Sequence, residues 1–310
     1  MHARTAALLT ALFSVACGAG GPAPSNLPVN PRVDLAIFPA DNAWNRDVSQ
    51  APVDPLSASY LATIGLDVGL HPDFGSYAGY GIPYVVVSGK QARVPVTFDD
   101  ADESDPGPYP IPPDAPVEGG AAAAGDRHVL VIDADSHELF ELFAARPLGD
   151  GAWAAGSGAR WDLDSDALRP AGWTSADAAG LPIFPGLVRA DEVLDKGEIR
   201  HALRFTAPRT QRAYVAPARH FASSLTDPSL PPMGLRVRLS AGFDVSTFPP
   251  ACQVILRALK TYGMILADNG SSWYVSGASD PRFDDDVLHQ LGRVKGSDLE
   301  VVETGPLVTQ

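Results

Sequence analysis

Proline and glycine punctuate this chain so often that no long helix can form in it. Among 310 residues there are 29 of each. Proline breaks a helix interior and glycine weakens one, so a helical bundle or a coiled coil is excluded. What stands between the breaks is a series of short runs rich in Val, Ile, Leu, Phe and Tyr, the pattern of strands separated by turns. Apolar residues make up 45% of the chain and charged residues only 19%, enough to build a core and too few charges for a disordered polymer. The expectation is a mainly β fold: a single β-sandwich or jelly-roll-like domain with one or two short surface helices.

The first residues read as an export signal. Arg4 is followed by the apolar run Ala6–Phe13 and by Ser14-Val15-Ala16-Cys17, a charged start, an apolar segment and small residues. The run is shorter than the roughly 20 residues needed to span a bilayer. Small residues before Cys17 resemble a lipoprotein cleavage site, although Ser14 stands where Leu is usual. An ordinary signal peptide with an incidental cysteine is the alternative. The reading divides the chain into a signal peptide over 1–16, a lipid anchor and Gly/Pro/Asn linker over 17–32, and a single β-rich domain over 33–305. It implies an exported lipoprotein, facing periplasm or cell exterior and touching the membrane through its anchor alone.

With Cys17 lipidated, Cys252 is the one remaining thiol, and no disulfide is expected. Cys252 sits in Pro249-Pro250-Ala251-Cys252-Gln253-Val254, a helix start with no adjacent His, and is expected to be buried and inert. The helix runs from Pro250, with Val254, Ile255, Ala258, Leu259 and Tyr262 at helical spacing, to Gly263. Asp284–Asp286 can cap a second, short helix ending near Gly292. Strands are expected over 82–87, 93–98, 129–132, 138–143, 200–206, 213–216, 235–239, 264–268, 272–275 and 299–302. Two hairpins are expected, one through residues 133–136 and one through Asn269-Gly270. Residues 99–118 hold seven acids, six prolines and no base, and read as an exposed loop.

Charge bounds the partners. Lys and Arg number 23 against 37 Asp and Glu, a net charge of −14, which argues against nucleic acid. No G-x-S-x-G elbow, phosphate-binding loop or G-x-G-x-x-G is present. Asp162-x-Asp164-x-Asp166 has a calcium-like start, but Ala167 and Trp173 stand where such a loop needs Gly and Glu. The three histidines His128, His201 and His220 have no metal-ligand spacing, so no cofactor or metal is expected. Glu138 and Glu141, three apart on a strand, face opposite sides and cannot pair.

Five segments concentrate polar residues in apolar or turn settings: Gly125–His128, Gly172–Gly180, Arg200–Phe205, Pro217–His220 and Ala267–Gly270. Together with Pro231-Pro232-Met233-Gly234 they resemble a family of uncharacterised exported bacterial proteins. The resemblance implies secretion and carries over no activity.

Strand alternation sharpens the picture. Arg200, Ala202 and Arg204 share one face, opposite His201, Leu203 and Phe205. Arg236 and Arg238 share a face opposite Leu235, Val237 and Leu239. Both arginine pairs should point away from the core, either onto the protein's own surplus acids or into a groove for an acidic ligand on adjacent strands. His201, sharing a face with Leu203 and Phe205, is either a core histidine or part of a site. Of Trp44, Trp153, Trp161 and Trp173, half are expected in the core and the rest could stack on sugars.

The functional expectation is an enzyme acting on polysaccharide, a glycan hydrolase or lyase, with an acidic glycan a candidate substrate and the protein a monomer. His220, His201 or His128 would act as acid or base, with Asp177 or Asp268 as carboxylate partner. Arg200, Arg204, Arg236, Arg238 and Trp173 would hold substrate. β-Elimination, needing a base and a neutralised carboxylate, fits His plus Arg somewhat better than hydrolysis, which needs two carboxylates. The alternative is a non-catalytic surface lipoprotein that binds glycan or another protein.

Overall fold

The computed structural model describes residues 29–309 except Ala78. The signal peptide, the Cys17 anchor and most of the linker therefore lie outside the described residues. The domain is mainly β, in several sheets with few short helices. Its elements are α1 (Ser57–Ile64), β1 (His71–Asp73), β2 (Tyr84–Val87), β3 (Val96–Phe98), β4 (Val129–Asp133), β5 (Glu138–Phe143), β6 (Arg146–Pro147), β7 (Trp153–Ala155) and β8 (Ser157–Asp162). There follow β9 (Leu203–Ala207), β10 (Arg236–Leu239), α2 (Pro250–Thr261), β11 (Met264–Asn269), β12 (Tyr274–Ser276), α3 (Asp285–Leu288) and β13 (Leu299–Val301). No helix among the described residues is long and apolar enough to cross a membrane.

Three sheets form. The largest has the order β1-β12-β9-β11-β10-β13, the second β2-β4-β5-β8 and the third β3-β7-β6. Pairing is mixed: β9 runs parallel to β11 and antiparallel to β12. The β4–β5 hairpin forms as expected. The Asn269-Gly270 hairpin does not. β9 lies between β11 and β12, so the Asn-Gly turn carries the chain over the end of β9 rather than joining neighbours. Gly270 is needed there, because a Cβ would come within 2.8 Å of the Thr206 hydroxyl. The expected strand at 213–216 reduces to bridges at Tyr214.

Side-chain alternation splits the large sheet. Leu203 and Phe205, Val237 and Leu239, Met264 and Leu266, Val275, Leu299 and Val301 share one face and are nearly fully buried. α2 packs against β10, and its Cys252, Ile255, Leu256 and Leu259 join the same apolar cluster. Proline occupies the first turn of α2 and buried residues recur at helical spacing, as its sequence required. Asp284 caps α3 by accepting from the Val287 N–H.

The second sheet is buried on both faces. Leu130, Ile132, Leu139, Ala159 and Trp161 belong to the main core. Val129, Val131, Phe140 and Leu142 belong to a smaller core with Tyr109, Ile111 and Trp153. The acidic, proline-rich stretch over 99–118 is therefore not exposed throughout: Tyr109 and Ile111 are fully buried in that second core. Glu138 and Glu141 face opposite sides, as alternation demands. Glu138 meets Arg93 and Arg160, whereas Glu141 lies in the main core against Trp161.

Candidate functional site

The second face of the large sheet carries Asp73, Ser276, Arg204, Ile265 and Arg236 in one row across β1, β12, β9, β11 and β10. It is not solvated. The segment 175–188 lies over Arg204 and the stretch 43–51 over Arg236 and Arg238, so the arginines expected to point outward are buried. The correction applies to three of the four. Arg204, Arg236 and Arg238 are 4%, 6% and 8% exposed. Arg200 lies before β9 and is exposed, paired with Glu198. β9 and β10 are also not adjacent, since β11 separates them.

Arg204 anchors the site. Its Nε and Nη2 donate to the two Asp177 oxygens at 3.0 Å each, a bidentate pair, its Nη1 donates to Ser276 Oγ at 2.7 Å, and Nη2 also reaches Asp268 Oδ2 at 3.3 Å. Such charge-assisted forks are strong and directional. Gly186 makes this close packing possible: a Cβ there would lie 2.8 Å from Arg204 Cβ and 2.7 Å from the Trp44 ring. Glu141 fixes the covering segment by accepting from the backbone N–H groups of Ile183 and Phe184 and from Trp161 Nε1. Burial pushes its carboxyl up to about 7 against those three donors.

Two histidines brace the Asp177 loop. His128 Nε2 donates to Ala176 O at 3.0 Å and Nδ1 donates to Glu118 Oε2 at 2.7 Å. Both partners are acceptors, an arrangement that suits the doubly protonated ring. Burial works against that charge, but the Glu118 hydrogen bond and charge outweigh it and raise the imidazole above its ordinary value. His220 Nδ1 donates to Ala178 O at 2.7 Å. His128, Asp177, Arg204 and Asp268, drawn from four separate stretches of sequence, thus lie together, and His220 meets the same loop at the Ala178 carbonyl. His201 does not join them. It is buried, with its ring nitrogens on Ala202 O and Glu192 Oε2. Trp173 is half-buried with the Arg169 guanidinium over its ring, while Trp44, Trp153 and Trp161 are core residues.

Two members of the site were missed in the sequence. Asp73 ends the three-residue β1, whose Pro72 hides a strand signal. Glu118 closes the acidic loop that reads as solvent. Both influence Arg204 electrostatically. Asp73 is half-buried, has no hydrogen-bond partner on its carboxylate among the described residues, and is pushed up by burial.

The carboxyls around Arg204 are driven in opposite directions. Burial raises Asp268 to about 6, with Arg204 opposing and the Asp177 charge adding. Burial would raise Glu118 too, but the His128 hydrogen bonds and charge hold it below the usual carboxylate range. Both carboxylates keep part of their surface open, 27% for Asp268 and 25% for Glu118. Glu118 uses only Oε2 on His128, so Oε1 has no protein hydrogen bond among the described residues.

An aromatic ledge flanks the cleft at Asp73. His71 stacks on Tyr274 at 4.1 Å between ring centres, and Tyr77 stacks on Tyr80 at 5.7 Å. The Tyr80 hydroxyl is fixed between His71 Nε2 and Pro72 O. Tyr77 is 52% exposed. No group of three or more His, Cys, Asp or Glu side chains with metal-binding geometry occurs among the described residues.

Neither a family model, nor a curated protein, nor a solved structure matches the chain.

Proposed function

We propose that the protein is an exported, Cys17-anchored hydrolase of polysaccharide acting at the Arg204 cleft. Asp268 is the general acid and Glu118 the base or nucleophile. One observation carries the reading: two partly open carboxyls share the field of Arg204 and His128, yet one is held protonated towards pH 6 and the other ionised. Opposed environments of this kind divide acid from base in glycoside hydrolysis. The ledge of Tyr77, Tyr80, His71 and Tyr274 supports a sugar substrate, because flat aromatic faces pack against apolar faces of pyranose rings.

Hydrolysis is favoured over β-elimination. Elimination needs a guanidinium free to neutralise a substrate carboxylate, and Arg204 is committed to Asp177, Asp268 and Ser276. His128 has both ring nitrogens engaged, on Glu118 and on Ala176 O, and offers neither to a substrate.

The test is a panel of neutral and acidic polysaccharides, reading reducing ends and unsaturated products together. New reducing ends without unsaturated products are expected, with activity falling as pH rises through about 6, where Asp268 loses its proton. Asp268→Asn and Glu118→Gln should each lower kcat at least ~100-fold, the scale of general acid–base catalysis. Absence of cleavage across the panel, or full activity in either variant, refutes the proposal.

A further inference from the structure

A cavity lies apart from the Arg204 cluster. It has a volume of about 530 Å³ and is lined by none of Asp73, Glu118, His128, Asp177, Arg204 or Asp268. That size falls within the roughly 300–1,000 Å³ range of small-molecule sites. Its walls are apolar and aromatic: Phe38, Trp44, Trp161, Leu168, Leu181 and Pro182. Arg236 also lines it.

Arg236 is unusual among the arginines on its sheet face. Arg204 has Asp177 and Asp268, and Arg238 has Glu300. Arg236 has no carboxylate partner among the described residues. It donates only to the carbonyl oxygens of Ala43, Arg46 and Tyr262. A guanidinium has five N–H donors, and these bonds leave one Nη1 hydrogen without a protein acceptor among the described residues. Burial and the nearby Arg46 charge push Arg236 down to about 9, the signature of a cation without its counter-charge. Buried charges are ordinarily paired, because an uncompensated one is costly.

The acids around the cavity do not supply that counter-charge. Asp166 accepts from Asn42 Nδ2. Asp41 and Glu303 are exposed, and their negative charge at the lining disfavours a multiply charged anion. Arg169, also at the lining, is already paired with Asp105.

We propose that this cavity is a binding site for an apolar monocarboxylate, its carboxylate on Arg236 and its aliphatic or aromatic body between Trp44 and Trp161. The chemistry is complementary at both ends: one anion for the buried Arg236, with the exposed Arg46 beside it at the lining, and an apolar body for the apolar part of the wall. The site is independent of polysaccharide cleavage.

Calorimetric titration with octanoate, 1-octanol and octylamine, which share one tail, tests it. Octanoate is expected to bind at least tenfold more tightly than 1-octanol, with octylamine weakest. Arg236→Met should remove the preference for octanoate over 1-octanol. Because Arg236 also holds three carbonyls and its variant can fail to fold, Ala167→Trp provides a second arm. Ala167 is an exposed residue at the cavity lining, and the bulk of Trp should cut octanoate affinity at least tenfold with the melting temperature unchanged. Octanoate binding no tighter than 1-octanol, or unaltered octanoate affinity in a folded Ala167→Trp protein, overturns the proposal. Neither arm reads glycan cleavage, so this site and the hydrolase reading fail separately.

Discussion

Arg204→Met isolates the buried charge at the centre of the site. Asp177 is wholly inaccessible, Arg204 is 5% exposed at its side chain, and the two are joined by a fork with both distances at 3.0 Å. Removing one partner of a buried pair leaves an uncompensated charge and costs about 3–5 kcal/mol. For a domain of this size 1 kcal/mol corresponds to about 2–4 °C, so the melting temperature should fall by roughly 6–20 °C. Methionine keeps most of the arginine's length, so lost packing contributes little.

The pH dependence identifies the cause. Without Arg204, the folded-state pKa values of Asp177 and Asp268 rise further, because the cation now pulling them down is gone. A carboxyl raised in the folded state stabilises fully below its unfolded pKa and loses that contribution as pH rises through the folded value. The penalty of Arg204→Met should therefore be smallest near pH 4 and grow with pH, by up to about 1.4 kcal/mol per pH unit for each group. Urea unfolding of both proteins at several pH values between 4 and 8 measures it. Adding Asp177→Asn should return at least ~1 kcal/mol at pH 8, since contacting residues couple by about 0.5–3 kcal/mol. A penalty below 1 kcal/mol, one that does not change with pH, or a strictly additive double variant would each refute the reasoning.

Three further outcomes follow from named contacts. Cys252 is fully buried, its Sγ lies 3.1 Å from Val287 O, and burial pushes the thiol up to about 11; a thiol reagent should label it only at the rate of unfolding, and fast labelling of native protein would contradict this. Glu141→Gln turns one acceptor into a donor facing backbone and Trp161 N–H groups, costing about 1–3 kcal/mol. Because burial raises Glu141 to about 7, its contribution is present in full below the unfolded pKa and lost as pH rises through 7, so thermal melts should show the larger penalty at pH 5 than at pH 8. Cys17→Ser should move the protein from the membrane to the soluble fraction, and a variant that still sediments with membranes ends the lipoprotein reading.

Much of the site was legible in pieces. Period-two alternation separated Arg204 from Leu203 and Phe205, and Arg236 and Arg238 from Val237 and Leu239. It could not say what lies over the second face. A lone strand shows only that its two faces differ, and the assumption that the polar face meets water failed because segment 175–188 supplies Asp177 to it. The Asn-Gly signal likewise described a turn correctly and its neighbours wrongly, since insertion of β9 between β11 and β12 is a long-range event. Asp73 and Glu118 were illegible for a local reason. Asp73 follows Pro72 in a strand too short to show a pattern, Glu118 ends a stretch too acidic and proline-rich to show one, and their importance comes from Arg204 and His128, distant in sequence.

The polar face of the large sheet does two jobs, and the partners of its arginines tell them apart. Arg238 donates to Val48 O and Ala51 O besides Glu300, and Arg236 donates to Ala43 O and Arg46 O. Both clamp the stretch 43–51 onto β10 through carbonyl acceptors. Arg204 has no carbonyl partner at all. It holds two carboxylates and a hydroxyl, and one of those carboxylates remains partly open. A buried ion pair is weak evidence for stability, because apolar residues of similar volume often serve as well or better. The clamp at Arg238 needs donors and, with Glu300 beside it, is accounted for by folding, whereas Arg236 clamps the same stretch and keeps one Nη1 hydrogen over. The Arg204 cluster brings three carboxylates of the cleft, Asp177, Asp268 and Glu118, towards one cation where Val or Leu could have packed. Its opposed carboxyls at Asp268 and Glu118 are what the hydrolase proposal puts to use.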